Sequence, residues 1–202
     1  MIDFVSVFIF FFAVIDPIGT VPVFIAVTRQ LDEKAKRRVA IKATLVAGAV
    51  LTFFVLVGEI ILTSMDIPLS AFQVAGGIVL FLFALTMIFG DSKPDSEIEM
   101  IDGGGDLAVF PLAMPSIAGP GAILAAVLLT ENASYSIGQQ AQTLAMMLAV
   151  LLVVLVLMLA ASRIYRFIGD AGASVVSRVM GLILASVATA GALAGIKDYF
   201  GI

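Results

Sequence analysis

Asp16-Pro17-Ile18-Gly19-Thr20-Val21-Pro22 lies in the middle of an apolar stretch that runs from Phe4 to Thr28. A plain membrane anchor has no use for such a string. A proline inside a helix removes a backbone hydrogen bond and clashes with the preceding turn, and a carboxylate at membrane depth costs several kcal/mol. Asp followed by Pro is nevertheless an ordinary helix start: an acceptor at the cap, then a proline at the first helical position, where its missing donor is of no consequence. The stretch therefore reads as two half-helices meeting near mid-membrane, with Asp16 capping the second and Pro17 and Pro22 as helix breakers. Pro115-Ser116-Ile117-Ala118-Gly119-Pro120-Gly121 interrupts another long apolar stretch in a similar way, with Pro115 and Pro120 as its breakers.

Composition sets the class. Of 202 residues, 61% are hydrophobic and 13% charged, against about 25% charge in soluble domains, and the apolar residues come in membrane-length blocks. The expectation is an all-α integral membrane protein with residues 1–202 in a single membrane domain. Cysteine, histidine and tryptophan are absent, which removes disulfides, thiolate nucleophiles, sulfur metal sites and the commonest metal-binding side chain. No enzyme activity, cofactor or metal is expected. Phosphate-loop and EF-hand spacings are missing, and no basic groove with interleaved aromatics suggests nucleic acid. The N-terminal segment lacks a basic start and a small-residue cleavage site, so it reads as a retained first helix.

Six spans are expected: Phe4 to Thr28, Val39 to Thr63, Pro68 to Phe89, Leu107 to Thr130, Gln142 to Ala161 and Val175 to Ile196. An acidic, glycine-rich linker, residues 91–106, divides the chain near its middle. Arg29, Lys34, Lys36, Arg37, Arg38, Lys42, Lys93, Arg163, Arg166 and Arg178 fall on the side of the connections after spans one, three and five, leaving Lys197 on the other. The positive-inside rule makes those connections cytoplasmic and sets both termini outside the cytoplasm. An odd number of spans per half turns 107–202 upside down relative to 1–90, and spans one and four both carry breaks. The chain thus reads as two inverted three-helix repeats with broken helices 1 and 4, a sequence pattern that points to a midplane site and alternating access.

The two breaks differ chemically. At the first, Asp16 offers a carboxylate, with Gly19 and Thr20 in the turn it caps. At the second, Gly119 occupies the cap position without a side chain, so Gly121 and Ala122 present bare N–H groups and a positive dipole end, suited to an anion, and Ser116 adds a hydroxyl. A zwitterion would fit between them. Asp16 and Glu59, the latter toward the outer end of span two, are the coupling-ion candidates. Gly76-Gly77, Gly181, Gly191 and Gly195 read as close-packing surfaces and Gln73 as an interhelical hydrogen bonder. The basic residues from Lys34 to Arg38 are suited to contact with anionic membrane lipid.

Over nearly its full length the chain resembles the MarC family of prokaryotic inner-membrane proteins. The resemblance rests on Asp16 to Phe24, on Ala71 to Ile78 with the leucine- and phenylalanine-rich run that follows, and on Pro111 to Gly121. It departs at Gln73, where the family often has arginine. The resemblance implies six spans in the prokaryotic plasma membrane, a distant relation to the amino-acid exporter superfamily, and, from one member group, transport of small neutral amino acids. The family motifs fall on Asp16, Gly19, Ser116, Gly119 and Gly121. The leading expectation is a secondary transporter of small polar metabolites, most readily neutral amino acids, driven by protons or sodium. A channel for small solutes or ions and a non-transporting membrane scaffold are the alternatives, and association into a homo-oligomer stays open.

Overall fold

The computed structural model describes residues 4–89, 106–132 and 134–202. The regular elements of the described residues are helical: α1 Phe4–Ile15, α2 Pro17–Val27, α3 Glu33–Ser64, α4 Leu69–Phe89, α5 Ala108–Ile117, α6 Pro120–Leu128, α7 Ile137–Leu159 and α8 Ala161–Phe200. Five stretches are long and apolar enough to cross a membrane, with α1 and α2 together forming the first, Phe4–Val27. The bent pair α5 and α6, at 58° to each other, supplies a sixth if it is one span. This is an all-α integral membrane protein. Apart from Asp106, the linker expected at 91–106 lies outside the described residues.

Local chemistry moves several expected boundaries. The segment 29–38 is only partly a surface turn. Asp32 accepts the Ala35 N–H at 2.7 Å, so α3 starts at Glu33 and carries most of the basic run on its first turns. α7 begins at Ile137, five residues before the expected start, because Ser136 and Gln139 form a capping box. The expected loop around Arg163 and Asp170 is instead continuous with α8. Gly169, at φ 60° and ψ −178°, breaks the helical geometry there, and the membrane-length part begins at Ser174. The fourth span is not a uniform helix. In α5, Phe110 and Met114 are extended and precede Pro111 and Pro115 through cis peptide bonds, in keeping with the exclusion of pre-proline residues from the α region. Pro22, expected to break span one, sits inside α2, which runs on to Val27.

In the first span 56% of the membrane window is buried, against 22% in α3, α4 and the membrane-length part of α8. The broken span is therefore central, while Leu45, Leu56, Leu82 and Leu182 face outward, where lipid would meet them. Lipid tails are as apolar as leucine, so close packing rather than water exclusion must hold these helices together. α4 lies antiparallel along α8. A Cβ at Gly77 would stand 2.9 Å from the Ala188 carbonyl oxygen, one at Gly181 2.9 Å from Met87 Cβ, and one at Gly195 2.8 Å from the Ser70 carbonyl oxygen. Gly76 likewise admits Leu124. Gly191 departs from the expected packing role: a Cβ there would meet nothing within 4 Å.

Exchanging the two halves reproduces most of the packing. α1 packs on α7 as α5 packs on α3, α2 on α7 as α6 on α3, α2 on α8 as α6 on α4, and α1 on α6 as α2 on α5.

Candidate functional site

Asp16 ends one helix and begins the next. Its N–H still donates to the Phe12 carbonyl at 3.1 Å, closing α1, while its backbone turns into the left-handed region, φ 51° and ψ 68°. Oδ1 accepts the Gly19 N–H at 3.0 Å, and the Thr20 hydroxyl donates to the Asp16 carbonyl at 3.1 Å. The carboxylate folds over the face of Gly19: a Cβ there would lie 2.7 Å from the carboxyl carbon and still closer to Oδ2. Asp16 is 1% exposed, and Oδ2 has no hydrogen-bond partner among the described residues. A buried acceptor left empty beside a satisfied one is costly, and more so when it shares an ionised group.

The second break has the opposite chemistry. Gly119 is extended at φ −77° and ψ 172°, and no side chain caps α6. Pro120 has no N–H to satisfy. The first backbone bond of α6 is Ile123 N–H to the Gly119 carbonyl, 3.1 Å, which leaves the N–H groups of Gly121 and Ala122 without an acceptor among the described residues. Both residues are buried. Gly119 is tight as well, since a Cβ would stand 2.8 Å from the Pro115 carbonyl oxygen. Ser116 is buried in the turn just before. The two broken spans pack together, α1 against α6 and α2 against α5.

Glu59 does not join the breaks. Its Oε2 accepts both the backbone and side-chain N–H of Asn132, each at 2.8 Å, and so ties the C-terminal end of α3 to the loop after α6. That loop is about 13 Å from Gly119 by the length of α6 at 1.5 Å per residue. Lys42 and Asp106 pair between α3 and the approach to α5, and the Lys42 ammonium, with the Ala108 N–H, holds the Asp106 carboxyl below the usual carboxylate range. Among the described residues no group of acidic side chains is arranged to hold a metal. Sequence reasoning missed one feature beside the second break. A cleft of about 750 Å³ opens between α4, α6 and α8, and at its inner end Leu80 covers the bare face of Gly121. Gln73 lines this cleft.

Two interrupted spans among longer apolar helices, with Asp16, Thr20 and Ser116 buried at the interruptions, define a multi-span α-helical membrane protein. The model of the MarC family of integral membrane proteins matches residues 1–200, and the chain belongs to that family. It is 36% identical over 197 residues to the UPF0056 membrane protein MJ1677 of Methanocaldococcus jannaschii, covering 96% of each chain. It is 36% identical over 194 residues to PH0760 of Pyrococcus horikoshii, covering 95% of this chain and 92% of the relative. It is 30% identical over 200 residues to the UPF0056 inner membrane protein YhgN of Escherichia coli K12, covering 98% of each. No solved structure matches the chain.

Proposed function

We propose that this protein is a secondary transporter of small polar metabolites, with neutral amino acids as the favoured class, working by alternating access around a site between the two breaks. The observation that carries this is the complementarity of the orphaned groups. Among the described residues, Asp16 Oδ2 is a buried acceptor without a donor, and the Gly121 and Ala122 N–H groups are buried donors without an acceptor. A substrate ammonium, a proton or sodium would satisfy the first. A substrate carboxylate would satisfy the second, at the positive end of α6. Gly19, Thr20, Ser116 and Gly119 complete the site.

The exchange symmetry of the packing supports two inverted repeats, 1–90 and 107–202. Such repeats pass a central site between two faces of a membrane by rocking against each other. With both termini outside, as the basic loops imply, α1 and α6 occupy the outer half and α2 and α5 the inner half. The pairing of α1 with α6 and of α2 with α5 supports this reading. Proton or sodium gradients would supply the drive.

Purified protein in liposomes should accumulate alanine or glycine under an imposed proton or sodium gradient, and Asp16→Asn should abolish gradient-driven uptake while leaving the protein folded. Undiminished flux in Asp16→Asn, or no flux across a broad amino-acid panel, would sink the proposal. Ion conductance at fixed potential in a planar bilayer, insensitive to amino acids, would instead make it a channel.

A further inference from the structure

We infer that the cleft between α4, α6 and α8 is a second binding site, an outward-facing vestibule that admits solutes bearing an ammonium group and turns away simple anions. Its place on the transport path rests on the function proposed above; its charge selectivity does not. The cleft's volume, about 750 Å³, lies in the range of small-molecule sites, about 300–1,000 Å³. Its walls come from the outer parts of α4 and α8, from α6 with the loop that follows, and from Phe10 of α1.

The polar lining is rich in acceptors. Glu131 and Asp198 contribute carboxylates, Gln73 an amide and Tyr135 a phenol, and among the described residues no lysine or arginine lines the cleft. Glu131 spends one acceptor on the Ser134 hydroxyl, at 2.7 Å, and keeps the remainder. The Asp198 side chain has neither an ion pair nor a hydrogen bond among the described residues. Lys197, its neighbour on α8, does not line the cleft. Two like charges over apolar walls concentrate cations: a cleft lined by one sign of charge raises the local counter-ion concentration by roughly 10-fold or more.

The inner end is apolar. Leu80 and Leu124 are 3% and 4% exposed. Leu80 closes over Gly121 and Leu124 over Gly76. Leu80 both lines the cleft and packs on Gly121, so this side chain joins the acceptor-rich mouth to the anion-seeking break. An ammonium-bearing zwitterion is drawn to the mouth by its positive end and presents its carboxylate to the break once Leu80 moves aside. A monocarboxylate of the same size lacks the first attraction.

The chain has no cysteine, so a single introduced thiol reports alone. Gly191→Cys is suited to the purpose, because Gly191 lines the cleft and its Cβ would meet nothing within 4 Å. Ala190→Cys, also on the lining, repeats the measurement if the first variant does not express. In right-side-out vesicles the thiol is labelled from outside with a trimethylammonium-bearing or a sulfonate-bearing methanethiosulfonate, and each rate is divided by that of free mercaptoethanol. The expected normalised preference for the cation is about 10-fold or more. It should fall toward unity when Glu131→Gln and Asp198→Asn are added, and L-alaninamide should slow labelling where acetate does not. Equal normalised rates, a preference that survives neutralisation of both acids, or labelling only from the cytoplasmic side would overturn the vestibule. Selective labelling without flux in the wild-type protein would retain the ammonium site and discard the transport function.

Discussion

Replacing Gly19 with alanine tests the centre of the structure at a single atom. The new Cβ would stand 2.7 Å from the Asp16 carboxyl carbon and 3.1 Å from Oδ1, so the carboxylate must leave the position from which it accepts the Gly19 N–H at 3.0 Å. Loss of an N-cap acceptor costs about 1 kcal/mol, and a buried donor left without a partner adds about 1–3 kcal/mol. Alanine's better helix propensity returns up to about 1 kcal/mol. The expected net destabilisation is therefore about 1–3 kcal/mol, read as a shift in equilibrium unfolding in mixed micelles. Asp16→Asn separates capping from charge. Its amide oxygen can still accept from Gly19, so it should lie within about 1 kcal/mol of wild type while losing transport, whereas Asp16→Ala should lose both. Gly19→Ala and Asp16→Ala both unfolding like wild type, within about 0.5 kcal/mol, would refute the capped break.

Other perturbations follow from the packing and the charges. Gly77→Ala forces a methyl against the backbone of α8, at 2.9 Å from the Ala188 carbonyl and 3.0 Å from the Ala192 nitrogen, and should cost about 1–3 kcal/mol, whereas Gly191→Ala on the same helix pair should be neutral within about 0.5 kcal/mol; unfolding midpoints of the two variants decide this. Glu59→Gln keeps an acceptor for Asn132 and should lower stability by less than about 1 kcal/mol without altering the gradient dependence of uptake; a changed ion requirement in flux assays would return Glu59 to a coupling role. Because the folded protein lowers the Asp106 carboxyl pKa through Lys42 and the Ala108 N–H, the Lys42–Asp106 pair contributes fully above the unfolded carboxylate value of about 3.9 and is lost as pH falls through the lower folded value. Unfolding measured against pH should show this acid-side loss, and Asp106→Asn should remove it.

Much of the centre was legible because its signals are local. Asp16-Pro17 and Gly119-Pro120 are helix starts wherever they occur, and capping depends only on neighbours within one turn. The structure realises both, with a side-chain cap at the first and none at the second. Asp32 and Ser136 are equally ordinary caps, yet the polar residues after them looked like loop, so α3 and α7 begin earlier than expected. Pro22 misled because a proline can stay within a helix that other contacts hold. The extended residues of α5 follow from Pro111 and Pro115, but a window of mean hydropathy does not register them.

By itself the sequence determined that the chain lives in a membrane and that two of its spans are interrupted by chemically opposite turns, because hydropathy and capping are properties of neighbouring residues. Only the tertiary structure decided what those turns face. It buried Asp16 so that one carboxylate oxygen has no donor among the described residues, and it drew Glu59 away to Asn132. It also laid α4 along α8 through their glycines and brought Gln73, Glu131 and Asp198 around one cleft. Those relations join residues tens of positions apart, and in lipid they depend on how closely two backbones can approach, which no local pattern encodes.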